Sequence, residues 1–136
     1  MTEVIYSAPD LATIVKAATA TGFYDPVAKR INSTGVLPED GEWFYNFVGT
    51  VQVPTGRTVT DRFGNPQPET AADPNQWGRL RVNGPITTLP QIIATCRANG
   101  VTIYELIQQE DKSPFWSSDG GTTPAPDWVA NVGVIA

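Results

Sequence analysis

Glu42-Trp43-Phe44-Tyr45-Asn46-Phe47-Val48-Gly49-Thr50-Val51-Gln52-Val53 is the stretch whose reading decides the fold. It gathers aromatics and valines into one run and then meets Pro54-Thr55-Gly56. Aromatic and β-branched side chains fit a pleated, half-buried surface, so the run predicts the central strand of a sheet over about residues 42–53. Downstream, Trp77-Gly78-Arg79-Leu80-Arg81-Val82-Asn83 alternates apolar and polar, which predicts a second strand over 77–83 with Arg79 and Arg81 on one face. Antiparallel pairing of these two is the simplest topology. Between them, residues 56–76 hold prolines, glycines and charges, the composition of an exposed loop or a loose hairpin arm.

Helical spacing flanks these strands. Leu11, Ile14, Val15 and Ala18 recur on one stripe that Gly22 ends, and Ser7 with Asp10 reads as a capping-box start, predicting a helix over about 8–21. The segment 23–41 has many breakers and reads as irregular, with one turn of helix near Val27–Ile31. Thr88 and Gln91 form a capping box for a helix over 89–98, with Leu89, Ile92, Ile93 and Cys96 on its apolar stripe and Asn99-Gly100 as its stop. Residues 103–110 read either as a third short helix capped by Thr102 or, at Val101-Thr102-Ile103-Tyr104, as a strand, and periodicity alone does not choose. Together these elements predict an α+β domain over residues 1–112, built on a small antiparallel sheet. A Gly/Pro-rich linker follows over 113–127, then an apolar tail over 128–136. The tail, with Trp128, Val129, Val132, Val134 and Ile135, predicts an edge strand added to its own sheet or to a neighbouring subunit.

The 136 residues suffice for one core. Only 17% are charged, so much neutral surface must face water or other subunits. A formal net charge of −5 argues against general affinity for nucleic acid or anionic membrane. No apolar run is long enough to span a bilayer, and Met1-Thr2-Glu3-Val4 lacks the basic start of a signal peptide, so residence in the cytoplasm or in a particle assembled there is expected. In that setting the sequon Asn32-Ser33-Thr34 is a chance match. Cys96 is the single cysteine and reads as a small buried hydrophobe, with no disulfide or thiolate metal site.

Candidate chemistry is sparse. Histidine is absent, which excludes histidine-based triads and removes the commonest metal ligand. Glu39, Asp40 and Glu42 are the carboxylates nearest the central strand, and solvated turn charges are their simpler reading. Residues 89–108 have the outline of a helix-turn-helix, yet Glu105, Glu110 and Asp111 would repel DNA, which favours a plain helical hairpin. No catalytic, cofactor or metal residue is expected. Arg57, Arg62, Arg79 and Arg81, with Trp77 beside them, form the candidate contact face for a protein partner or a carbohydrate. A solvated strand face is the simpler alternative. Trp77, Trp43 or Trp116 would be the stacking platforms for a sugar.

The run 43–51, the Pro54-Thr55-Gly56 stop, the Pro-containing loop, Trp77–Asn83 and Leu89-Pro90 together resemble small proteins encoded among the tail genes of tailed bacteriophages and prophages. The resemblance covers about residues 40–90 and includes no catalytic motif, and the region 99–127 departs from it as an extra insertion. It implies a phage structural or tail-associated role. With the low charge density, loop richness, apolar tail and missing catalytic residues, the expectation is a non-enzymatic virion protein of the tail or baseplate, homo-oligomeric and in contact with other tail proteins. Two other roles are carried beside it: a host-surface carbohydrate-binding module, and a cytoplasmic assembly factor or inhibitor of a host protein.

Overall fold

The computed structural model describes residues 2–36, 41–83 and 89–133. In chain order these form β1 (Thr2–Ala8), α1 (Leu11–Thr21), β2 (Tyr24–Asp25), β3 (Arg30–Ile31), β4 (Thr34–Val36), β5 (Glu42–Gly49), β6 (Gln52–Thr60) and β7 (Pro66–Ala72). Then come β8 (Gln76–Asn83), α2 (Leu89–Ala98), β9 (Thr102–Ile107), β10 (Phe115–Ser117) and a 3₁₀ turn over Asp127–Asn131. Six strands make one sheet in the order β10-β9-β1-β8-β5-β4, and every neighbouring pair is antiparallel. With two α-helices against it, the fold is α+β.

The helices cover one face of the sheet. Val4, Tyr6 and Ala8 of β1, Trp43 of β5, Leu80 and Val82 of β8, and Ile103 of β9 point into a core closed by Ile14, Ala17 and Ala18 of α1 and Leu89 and Ile93 of α2. Phe23, just past α1, seats on Trp43 with ring centroids 4.6 Å apart. Full burial of each Val, Leu, Ile or Phe among them contributes about 1.5–3 kcal/mol. Cys96 packs against this core, where burial pushes its thiol up to about 11.

Large rings lying across the sheet from their strand partners make glycine obligatory at two positions. A Cβ on Gly78 would fall on the ring and hydroxyl of Tyr6, and one on Gly35 would fall on the Trp43 indole. Tyr6 is buried and its hydroxyl has no hydrogen-bond partner among the described residues, so burial drives its pKa strongly upward. Gly78→Ala is therefore expected to destabilise by about 1–3 kcal/mol or more through overpacking. Adding Tyr6→Leu should recover part of that loss in urea titrations, whereas additive losses would show that the clash is not the cause.

Several sequence expectations need correction. The run 42–53 is not one strand: Gly49 adopts φ 88°, the register slips between Phe47 and Gly49, and the chain crosses into a separate ribbon at β6. Pro54-Thr55-Gly56 does not end β6 but sits inside it as a register irregularity. The first helix starts at Leu11 instead of residue 8, because Asp10 is its N-cap and accepts from the Thr13 N–H at 2.8 Å. Ser7 belongs to β1, a strand the sequence reading missed. Flanked by β8 and β9, β1 is buried on both faces from Val4 to Ala8 and so shows no alternation. Residues 102–107 are the strand β9, not a third helix, which also removes the helix-turn-helix outline.

The expected linker 113–127 is folded against the domain: β10 pairs with β9, and the Ala125 N–H donates to the Trp116 carbonyl at 2.8 Å. Residues 128–131 of the expected edge strand belong instead to the 3₁₀ turn, which starts at Asp127. Thr88, Glu39, Asp40, Val134 and Ile135 lie outside the described residues.

Candidate functional site

The sheet face away from the helices carries what chemistry the chain has, in three cross-strand rows. Trp77 and Ser7 lie in one row, Tyr104, Ile5, Arg79 and Asn46 in the next, and Arg81, Phe44 and Thr34 in the third, which Glu3 of β1 joins opposite Arg81. Beyond the edge strand β10, residues 125–133 fold back over the first two rows. Val129 and Val132 are buried there with Ile5 and Trp77, while Tyr104, Trp116, Ala125 and Trp128 pack around them. Trp77 lies 5.5 Å from Tyr104 in a stacked arrangement and meets Trp128 edge-on at 5.0 Å. Its indole N–H donates to Asp73 Oδ2 at 2.7 Å.

Arg79 pins this cover. Its side chain is 7% exposed, its Nε donates to the Val132 carbonyl at 2.7 Å, and its Nη2 donates to the Ala130 carbonyl at 2.8 Å. Nη1 meets Glu3 Oε2 at 3.0 Å, and the guanidinium carbon sits 5.3 Å from the centre of the Trp116 ring. Burial lowers the Arg79 pKa, and the facing Glu3 carboxylate opposes that shift. Opposite Arg79, Asn46 Nδ2 donates to the Gly133 carbonyl at 3.1 Å. A Cβ on Gly133 would lie 2.8 Å from Arg79 Cβ, so only glycine lets the chain come this close.

Among the described residues the third row stays open. Glu3 Oε1 bonds Arg81 Nε at 2.6 Å, and Arg81 is 44% exposed. Phe44 is 40% exposed and Leu106, on β9, 39%. A groove of about 270 Å³ lies along this row, lined by Ser33, Thr34, Phe44, Tyr45, Asn46, Arg79, Arg81 and Gly133. A second depression, of about 290 Å³, borders Glu3 and Leu106.

Beyond the β5–β8 pair, β6 and β7 extend as a two-stranded ribbon that, among the described elements, packs substantially only on itself. All of β6 and β7 is exposed except half-buried Val53 and Glu69. At its tip, Asp61 Oδ1 accepts the N–H groups of Phe63 at 2.8 Å and Asn65 at 2.9 Å, bonds that lower its pKa. Phe63 is 73% exposed, with Arg62 stacked 4.8 Å from the ring centre.

The expected contact face is thus dispersed. Arg57 and Arg62 are on the ribbon, where Arg57 approaches Glu69 at 3.8 Å, while Arg79 and Trp77 are buried and only Arg81 reaches the open row. Arg79 and Arg81 do share a face of β8 and one Glu3 partner, but the folded-back segment covers Arg79 and leaves Arg81 half-exposed, a difference that alternation cannot reveal. Trp77 and Trp43 are core residues, so neither is a sugar-stacking platform, and Trp116 is half-buried beneath Arg79. Sequence reasoning missed Glu3, Phe44 and Phe63. The polar Glu3 before the apolar run Val4-Ile5-Tyr6 was the one local hint.

The loop that carries the chain back over the sheet is closed by Asp119. The buried Ser117 hydroxyl donates to its Oδ1 at 2.5 Å, and the N–H groups of Thr122 and Thr123 reach the same oxygen at 3.1 and 3.0 Å. These bonds, the Ser117 hydroxyl first, hold the Asp119 pKa at about 2, below its ordinary 3.8. A depressed carboxylate stabilises the fold above its unfolded pKa, and that contribution fades as pH falls from about 4 through 2. Wild-type urea midpoints should therefore drop more steeply over this interval than those of Asp119→Asn, and parallel curves would exclude the link.

Among the described residues no three Cys, Asp or Glu side chains converge in a way that could hold a metal ion, and no helix is long and apolar enough to cross a membrane. Comparison with protein-family models, with curated proteins and with solved structures gives no match.

Proposed function

We propose that this protein is a non-enzymatic structural component of a bacteriophage virion, associated with the tail or baseplate and acting through protein–protein contacts. The observation that carries the reading is the ribbon of residues 52–72, held away from the body with its side chains exposed. An isolated two-stranded ribbon is at best marginally stable in water, so such an arm gains its stability where other protein grips it. The open row of Phe44, Arg81 and Glu3 supplies a second surface of the same kind. The placement in a tail rests on the resemblance of residues 40–90.

Mass spectrometry of purified particles tests this directly, with the chain expected at the level of a structural protein. Absence from mature particles, together with recovery on virion precursors from infected cells, would replace this reading by that of an assembly factor. A carbohydrate-binding role is left with Phe44 beside Arg81 as its contact surface, and a glycan array without hits would remove it.

A further inference from the structure

We propose that the arm of one copy of this chain docks face-on against the open row of a second copy, with Phe63 seated in the groove beside Phe44 and Arg81. This rests on the reading of the protein as a component that assembles through its surfaces, and it names the partner as the chain itself.

The arm must be covered by something. Phe63 and Val59 are its exposed large hydrophobics, at 73% and 45%. At about 3.3 Å per residue, the nine residues of β6 give a ribbon about 30 Å long. Gripped along one face and at its tip, such a ribbon supplies much of the ~800 Å² per partner that a stable interface needs.

Its edges are not the contact. A proline in a ladder must sit where its nitrogen faces away from the paired strand. Pro54, Pro66 and Pro68 face Thr70, Thr60 and Thr58 in the ribbon register, so all three fall on outward positions. They break both outer edges, which blocks strand addition and leaves the faces and tip to make the contact.

The body offers a matching recess. A dry cavity of about 150 Å³ is known to take up benzene, so a groove of about 270 Å³ has room for a phenyl ring. Phe44 forms its apolar wall, and the half-exposed Arg81 guanidinium stands at its side, facing where Asp61 of the incoming tip would lie. Charge favours the same pairing. Arg57 and Arg62 balance Asp61 and Glu69, so the arm is neutral and the net −5 resides on the body. Body-on-body contact would set like charges together, whereas arm-on-body contact does not.

Arm and groove are different surfaces, so the contact is heterologous. Repeated, it closes into a ring or continues as a filament.

The test uses two exposed-residue variants, Phe63→Asp on the arm and Thr34→Arg at the groove rim, each checked for a wild-type thermal transition. By light scattering and sedimentation, wild type should self-associate, and each variant should weaken association at least ~30-fold, the effect of losing an interface anchor. The decisive arm mixes the two. Thr34→Arg still has an intact arm and Phe63→Asp an intact groove, so the mixture should form a one-to-one dimer that stops there. Wild type that stays monomeric at about 100 μM, variants that associate like wild type, or a mixture without heterodimer would each overturn the proposal. A monomeric chain that is nevertheless abundant in purified virions would overturn this inference and leave the virion reading standing.

Discussion

Arg79→Ala is expected to lower stability by about 3–5 kcal/mol, the loss usual when one partner of a buried ion pair is removed. The side chain is 7% exposed and has four attachments: the Glu3 carboxylate, the Val132 and Ala130 carbonyls, and the face of Trp116. Alanine leaves both carbonyls without their donor and strips Glu3 of its buried partner, although Arg81 still holds the other carboxylate oxygen. The loss should also be directional. Residues 127–133 should detach first, so hydrogen exchange at Val129 and Val132 should accelerate far more than exchange in α1. Arg79→Lys keeps the charge but cannot bond two carbonyls and a carboxylate in one plane, so it should rescue only partly. A variant within 1 kcal/mol of wild type, with the terminal segment still protected, would show that apolar packing alone holds the cover.

The second large effect is expected at Trp77, where alanine should cost about 3–5 kcal/mol. The ring is 2% exposed, stacked on Tyr104, met edge-on by Trp128, and tied by its indole N–H to Asp73. Removing it opens a cavity between the sheet and the folded-back segment, which cannot collapse because Arg79 and Asn46 tether residues 130–133. Trp77→Phe preserves much of the stacking and loses the indole bond, so a cost of about 1 kcal/mol is expected. Chemical denaturation followed by far-UV circular dichroism separates the two. If phenylalanine costs as much as alanine, the Asp73 bond, and not the packing, carries the site. The two sites are coupled through the segment they share, so the double variant with Arg79→Ala should lose less than the sum of the singles.

The parts of the fold that were legible are those whose signals are local. α2 was readable from Leu89 to Ala98 because its apolar stripe and its Asn99-Gly100 stop lie within a dozen residues. β8 was readable because Arg79 and Arg81 alternate with Leu80 and Val82. β1 was not, since a strand with neighbours on both sides and layers on both faces loses its period-2 pattern. The same ambiguity left residues 103–110 open between helix and strand, and pairing of β9 with β1 decided it. The candidate site was less legible. Basic residues near one another in sequence were grouped as one surface, but Arg57 and Arg62 ride on the ribbon while Arg79 is sealed beneath the terminal segment.

By itself the sequence determined the α+β class, the helices α1 and α2, the pairing of a strand from Glu42 with one ending at Asn83, and the absence of histidine chemistry. Periodicity, caps and composition act over a few residues and need no distant partner. Tertiary structure decided that Gly49 splits the aromatic run between two sheets, and that Trp77 and Arg79 are interior. It also decided that the apolar terminus folds back on its own sheet through Val132 as a 3₁₀ turn and not as a strand. Those outcomes depend on contacts between residues more than fifty positions apart, such as Arg79 with Val132 and Glu3 with Arg79. No local pattern encodes them. Burial of a side chain is a property of what lands on it, and that is set only when the sheet is assembled.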